Sequence, residues 1–138
     1  FDISHLISST VSQYETKKIL FEKKSEILFI GRKNLIKRSL SNFIDNALKY
    51  SDKVVIDIKK SANNIIIYID DNGIGIPEKE RENVFKPFYK IDKSRGDSKS
   101  SVGLGMSIAS DMIQSHGGNI KLEDSILGGL RVKIFLPF

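Results

Sequence analysis

Three groups of residues in this 138-residue chain have the types and spacing to hold a charged ligand. Asn42, Asn46 and Lys49 follow one another at intervals of four and three, and an asparagine carbonyl can ligate a hard cation. Mg²⁺ takes few protein ligands and draws the rest from phosphates and water, so two amides and a lysine suit a metal-bound polyphosphate. The second group, Asp70-Asp71-Asn72-Gly73-Ile74-Gly75-Ile76-Pro77, ends an apolar run with two acids and two glycines. Adjacent carboxylates sit poorly in a core and belong at a rim or in a pocket. Gly73 and Gly75 let backbone come close to a bound group, and a carboxylate beside them could accept a hydrogen bond from an exocyclic amine such as that of adenine, which marks Asp71. The third group, Gly103-Leu104-Gly105-Met106, leads into a helical pattern. Glycines just before a helix N-terminus expose backbone N–H groups toward an anion.

Each group has a plainer explanation when read alone. The asparagine face could be a solvated helix surface, and the acid–glycine turn could merely end a strand. Gly-x-Gly is a weak signal, and neither the dinucleotide-binding nor the P-loop glycine spacing is present. Between them, residues 86–101 carry five basic residues (Lys86, Lys90, Lys93, Arg95, Lys99) against two acids (Asp92, Asp97). The Ser, Gly and Asp content of this stretch disfavours regular structure. It reads either as a cationic lid that touches phosphate through Lys90 and Arg95, or as a surface loop without a ligand.

The elements that must carry these groups follow from hydrophobic periodicity. Ile36, Leu40, Phe43, Ile44 and Ala47 recur as one buried stripe, predicting a helix from about residue 31–33 to Tyr50. At roughly 100° per residue, Asn42, Asn46 and Lys49 then share an arc of about 60°, centred some 140° from the stripe. Asn64–Ile69 reads as a buried strand paired in a hairpin with Val54–Ile58. Upstream, Ile3, Leu6, Ile7 and Val11 suit an amphipathic helix, and Lys18–Phe21 and Ile27–Ile30 read as two strands around a polar turn. Pro77–Val84 suits a short helix with Pro in its first turn. Ile108, Ala109, Met112 and Ile113 form the expected stripe of a later helix capped at His116-Gly117-Gly118. Asn119–Glu123 and Leu130–Leu136 alternate as closing strands. The expected fold class is an α/β (α+β) two-layer sandwich, a mixed sheet of about five strands with three helices on one face.

Composition excludes several functions. The chain lacks cysteine and has only His5 and His116, which removes disulfide, thiolate and zinc chemistry. The net charge of +5 invites nucleic acid, but basic residues occur at most two in a row among acids, which reads as a solvated surface and not a nucleic-acid face. No apolar run approaches the roughly 20 residues of a membrane span. The length suits one domain covering residues 1–138, and the start at Phe1 suggests a piece of a longer protein, any membrane anchor lying in segments outside it.

Taken in order, Asn42-x-x-x-Asn46-Ala47-x-Lys49-Tyr50, Asp71-x-Gly73-x-Gly75, Phe85-x-x-Phe88 and Gly103-x-Gly105 resemble the N, G1, F and G2 boxes of the histidine kinase catalytic and ATP-binding domain. The resemblance spans nearly the whole chain. It implies a Bergerat-type ATP fold, with ATP and Mg²⁺ as ligands. By that resemblance Asp71 binds the adenine amine within the turn of Gly73, Gly75 and Ile76, and Asn46 ligates Mg²⁺. Asn42, Lys49 and Tyr50 support the nucleotide from the same helix, Lys90 and Arg95 belong to a lid over about residues 86–102, and Gly103, Leu104, Gly105 and Met106 line the phosphates and the lid hinge. The superfamily's ATPases usually place a general-base glutamate where this chain has Asn42, which favours transfer to histidine over attack by water.

Two departures from the pattern stand out. Val102 replaces the Thr that usually precedes the first G2 glycine, and neither His5-Leu6-Ile7 nor His116-Gly117 matches a phosphoaccepting helix. The implied protein is therefore the kinase half alone, working on a histidine-bearing dimerisation domain and, through it, on a response regulator. Its implied place is the cytoplasmic part of a membrane-anchored bacterial kinase. Rival readings are a serine kinase of the anti-sigma-factor type, which usually keeps the glutamate missing at Asn42, a degenerate module that binds nucleotide without transfer, and a nucleic-acid binder driven by net charge.

Overall fold

The computed structural model describes residues 1–86 and 105–138. In chain order the elements are α1 (Ile3–Ser12), β1 (Ile19–Phe21), α2 (Lys33–Tyr50), β2 (Val54–Lys60), β3 (Asn64–Asp71), α3 (Gly105–Gln114), β4 (Asn119–Asp124) and β5 (Leu130–Pro137), with two short 3₁₀ turns at Glu78–Glu80 and Asn83–Phe85. The five strands form one mixed sheet in the order β1-β2-β3-β5-β4, parallel only between β1 and β2. The expected two-layer α/β architecture is the one observed.

Alternation along the strands divides the two faces of the sheet. Ile65, Ile67 and Ile69 of β3 and Leu130, Val132, Ile134 and Leu136 of β5 are buried, and they join the stripe Ile36, Leu40, Phe43, Ile44 and Ala47 of α2 in one core with Ile3, Leu6 and Ile7 of α1. The opposite face stays open. There Tyr68 lies across from Lys133, with the Arg131 guanidinium 4.9 Å from its ring centre.

Three expectations need correction. Ile27–Ile30 is not a strand of the sheet; it is extended, with Ile27 and Phe29 buried and Leu28 and Ile30 exposed, but its partner is the start of the chain. Ile3 donates to the Ile27 carbonyl at 2.8 Å and Phe29 to that of Phe1 at 2.9 Å, which leaves one isolated bridge between Asp2 and Leu28. The helix expected over Pro77–Val84 is instead the pair of 3₁₀ turns. In α3 the buried side chains are Met106, Ser107, Ala109, Ser110 and Ile113, while Ile108 and Met112 are only half-buried. The α2–α3 seam explains this last difference, because it closes on a small polar pair: Ser39, fully buried, donates to the Ala109 carbonyl at 3.0 Å.

α1 is capped by Asp2, whose carboxylate accepts the Ser4 N–H at 3.0 Å and the Ile27 N–H at 3.0 Å and pairs with Lys23 at 2.9 Å. Its far end is tied to α2 by Tyr14, whose hydroxyl donates to Asp45 at 2.7 Å. Burial and the Asp45 carboxylate both push the Tyr14 phenol above its usual range. No helix among the described residues is long and apolar enough to cross a membrane.

Candidate functional site

β3 ends in Asp70 and Asp71, and the pleat sends them to opposite faces. Asp70 points to the opposite face of the sheet, where it too is buried, and accepts a hydrogen bond from Arg131 Nε at 2.9 Å, an interaction that raises the Arg131 guanidinium. Asp71 falls on the helix side, 6% exposed. Its Oδ1 accepts the Gly73 N–H at 2.9 Å and the Leu130 N–H at 3.1 Å, and its backbone carbonyl accepts the Gly129 N–H at 3.1 Å. Both side-chain bonds fall on one oxygen, so the carboxylate is clamped with Oδ2 turned away from its anchors. A fixed, buried carboxylate whose second oxygen has no partner among the described residues is an acceptor for a ligand N–H.

The turn after Asp71 packs against the end of α2. A Cβ on Gly73 would stand 2.6 Å from the Tyr50 carbonyl, so only glycine permits this approach. Gly75 takes φ +70°, where an L side chain is strained, and lies against the Gly129 backbone. Asn72 stitches the turn to the start of β2: its Oδ1 accepts the Asp52 and Lys53 N–H groups at 3.2 and 3.1 Å, and its Nδ2 donates to Asp52 at 2.6 Å. The β4–β5 turn closes the other side. A Cβ on Gly129 would run into the Asp71 carboxylate and stand 2.6 Å from the Gly73 nitrogen.

On α2, Asn42, Asn46, Lys49 and Tyr50 are all half-buried. That is more cover than a freely solvated face would have. Among the described residues, neither asparagine side chain has a hydrogen bond, and Lys49 Nζ is buried without an acceptor, 5.6 Å from the centre of the Tyr50 ring. An ammonium withdrawn from water without an anion is costly unless a ligand provides one. Phosphate oxygens would supply the missing acceptor. The amide carbonyls of Asn42 and Asn46 are hard donors on the same arc, and no trio of His, Cys, Asp or Glu stands together among the described residues, so a divalent cation at this face would take oxygen from amides and phosphates. The residues present therefore fit Mg²⁺ bound through a polyphosphate.

α3 starts at Gly105, beside whose Cα a Cβ would meet no described atom. Met106, expected at the hinge, is turned into the core at 9% exposure. Ile76 is half-buried against the core, and its carbonyl accepts from Arg81 Nε at 3.1 Å. Lys90, Arg95, Gly103, Leu104 and the aromatic Phe88 lie outside the described residues, as does nearly all of the expected lid. Sequence reasoning missed Gly129 and the Leu130 N–H as anchors of Asp71. In the sequence the doublet Gly128-Gly129 signals only a turn between the two closing strands.

Residues 31–138 match the family model described as histidine kinase-, DNA gyrase B- and HSP90-like ATPase. The chain belongs to that ATPase family. It is 41% identical over 108 residues to the sensor histidine kinase CpxA of Escherichia coli (strain K12), a match covering 78% of this chain and 24% of that protein. ArlS of Staphylococcus aureus (strain USA300), a signal transduction histidine-protein kinase, is 44% identical over 95 residues, covering 67% and 21%. The chain thus spans less than a quarter of the length of these relatives. Among solved structures, the ATP binding domain of PrrB from Mycobacterium tuberculosis aligns with TM-score 0.81 at 29% identity, over 99% of this chain and 94% of that one. The mycobacterial sensor histidine kinase MprB aligns with TM-score 0.83 at 25% identity, over 99% and 95%. As a member of this ATPase family the domain binds ATP.

Proposed function

We propose that this domain is the catalytic half of a sensor histidine kinase, holding ATP for transfer of its γ-phosphate to a histidine on a separate helical domain. Asp71 Oδ2 accepts the adenine amine, and the Asn42–Asn46–Lys49 face of α2 takes the phosphates. Asn46 holds Mg²⁺, which when bound neutralises phosphate charge and orients the γ-phosphoryl group for in-line attack. The observation that carries the reading is the buried Lys49 ammonium with no acceptor among the described residues, on the arc of the two unengaged asparagines.

The same arc lacks a carboxylate that could activate water. Position 42 is an asparagine, and Asp45 is engaged with Tyr14 away from the site. That favours phosphotransfer over ATP hydrolysis. From the histidine the phosphoryl group passes to a response regulator, and the parent protein keeps this domain on the cytoplasmic side of the membrane that anchors it.

The test is autophosphorylation of the full-length protein with γ-labelled ATP, before and after acid treatment, for wild type and Asn46→Ala. An acid-labile label that disappears in the variant, with its thermal unfolding unchanged, is the expected result. Label that survives acid, or equal labelling of the variant, would overturn the assignment.

A further inference from the structure

His116 stands just beyond α3, outside the site, and makes two bonds that define its protonation. Its Nε2 accepts the Arg32 backbone N–H at 2.9 Å, and its Nδ1 lies 2.8 Å from the Met112 carbonyl and 3.4 Å from Ser115 Oγ, whose own proton goes to the same carbonyl at 2.7 Å. A carbonyl can only accept and a backbone N–H can only donate, so the ring must be neutral with its proton on Nδ1. Arg32 is the N-cap residue of α2 and has no side-chain cap bond, so the imidazole supplies an acceptor at the helix end from 84 residues away. Gly31 makes room for the ring: a Cβ there would stand 2.5 Å from Phe29 Cε2 and 2.8 Å from His116 Cδ2.

The Arg32–His116 bond, between the N-cap of α2 and the turn after α3, and the Ser39–Ala109 bond fall in one antiparallel register, seven residues apart along each segment. Continued along the pair, that register sets Gly105, the first residue of α3, level with Phe43, between Asn42 and Asn46. One end of the helix pair is latched, and the nucleotide-facing residues lie at the other.

We infer that His116, as a neutral Nδ1–H imidazole, is a positioning residue for nucleotide binding: it locks α3 to α2 in the register that brings the glycine end of α3 to the Asn42–Lys49 face. This rests on the proposed nucleotide site. The residue touches no ligand. It acts through the relative placement of two helices that both border the phosphates.

Two measurements on this chain test it. Nitrogen-15 spectra of the two histidines, with exposed His5 as internal reference, should show His116 protonated at Nδ1; an Nε2–H tautomer would overturn the latch whether or not nucleotide binds. Calorimetric titration with a non-hydrolysable ATP analogue should find binding weakened about fivefold to tenfold in His116→Phe, which keeps the ring without the acceptor. Gly31→Ala, which displaces the ring from outside, should weaken binding similarly, and His116→Gln, which restores an acceptor, should recover most of the affinity. Equal affinity in wild type and His116→Phe, or loss in His116→Gln as deep as in His116→Phe, would overturn the positioning role. A wild-type chain that binds no analogue would overturn the site reading, and the positioning role with it, while the tautomer still decides the latch.

Discussion

On the proposed binding mode Asp71 offers a sharp separation of binding from folding, because its two oxygens would have different tasks. In Asp71→Asn the amide oxygen can keep both bonds made by Oδ1, from Gly73 at 2.9 Å and Leu130 at 3.1 Å. The NH₂ group must then occupy the place of Oδ2 and face the adenine amine donor to donor. Losing a charge-assisted hydrogen bond and setting two donors opposite each other costs about 3 kcal/mol, or roughly a hundredfold in ATP affinity. Folding should suffer by only about 1 kcal/mol, since the anchoring bonds survive as neutral ones. Asp71→Ala removes the acceptor from two backbone N–H groups, one of them buried, and should cost about 2–4 kcal/mol of stability. Calorimetric titration of an ATP analogue, together with urea unfolding of all three proteins, measures both quantities. An Asn variant that binds within threefold of wild type would refute the base-recognition role. An Ala variant as stable as wild type would refute the anchoring.

Two further perturbations test separate parts of the structure. Lys49→Met removes a buried ammonium that has no acceptor among the described residues, so stability should stay level or rise by about 1 kcal/mol while ATP affinity falls about tenfold or more; the pair of measurements contradicts the assignment if stability drops and affinity holds. Burial alone would raise the Asp2 carboxyl, but the Ile27 N–H, the Lys23 ammonium and the His5 N–H bring it down to about 2. A carboxylate depressed on folding adds stability that is fully present above its unfolded pKa of about 3.9 and is lost as the pH falls toward the folded value. Lys23 is partly solvated, so about 1 kcal/mol remains after screening. Asp2→Asn should therefore lose about 1 kcal/mol near pH 7 and about half of that at pH 3, by urea unfolding at the two pH values; a gap that does not change with pH would count against the Asp2–Lys23–Ile27 arrangement.

Local pattern exposed the helix stripe Ile36–Ala47 and the β2–β3 hairpin, because their periodicities are set by which face meets the core. It also put Asp71 at the end of a buried strand, where its chemistry stands out. What it could not show was partnership at long range. Leu130 and Gly129 reach Asp71 across 59 and 58 positions, and nothing in their own neighbourhood distinguishes an anchoring N–H from an ordinary turn. Ile27–Ile30 has a sound strand pattern, but alternation specifies extended backbone and not the neighbour that pairs with it. In α3 the apolar stripe predicts the buried face, whereas the seam with α2 is closed by Ser39 bonding to backbone and by the small residues around it. Hydrophobicity carries no trace of such a seam.

β3 has paired strands on both sides through nearly its whole length, and Asp71 is its last residue, still in register with Val54. The base end of the proposed site is thus tied at once to the end of β3, to the turn after it and to the start of β5, through the Gly73 and Leu130 N–H groups on one carboxylate oxygen. The buried Leu130 N–H should therefore exchange with solvent hydrogen more slowly than the part-buried Gly73 N–H on the same oxygen. On the proposed reading, a nucleotide base arriving there meets a carboxylate already fixed in place, and so gives up little of its affinity to ordering that group.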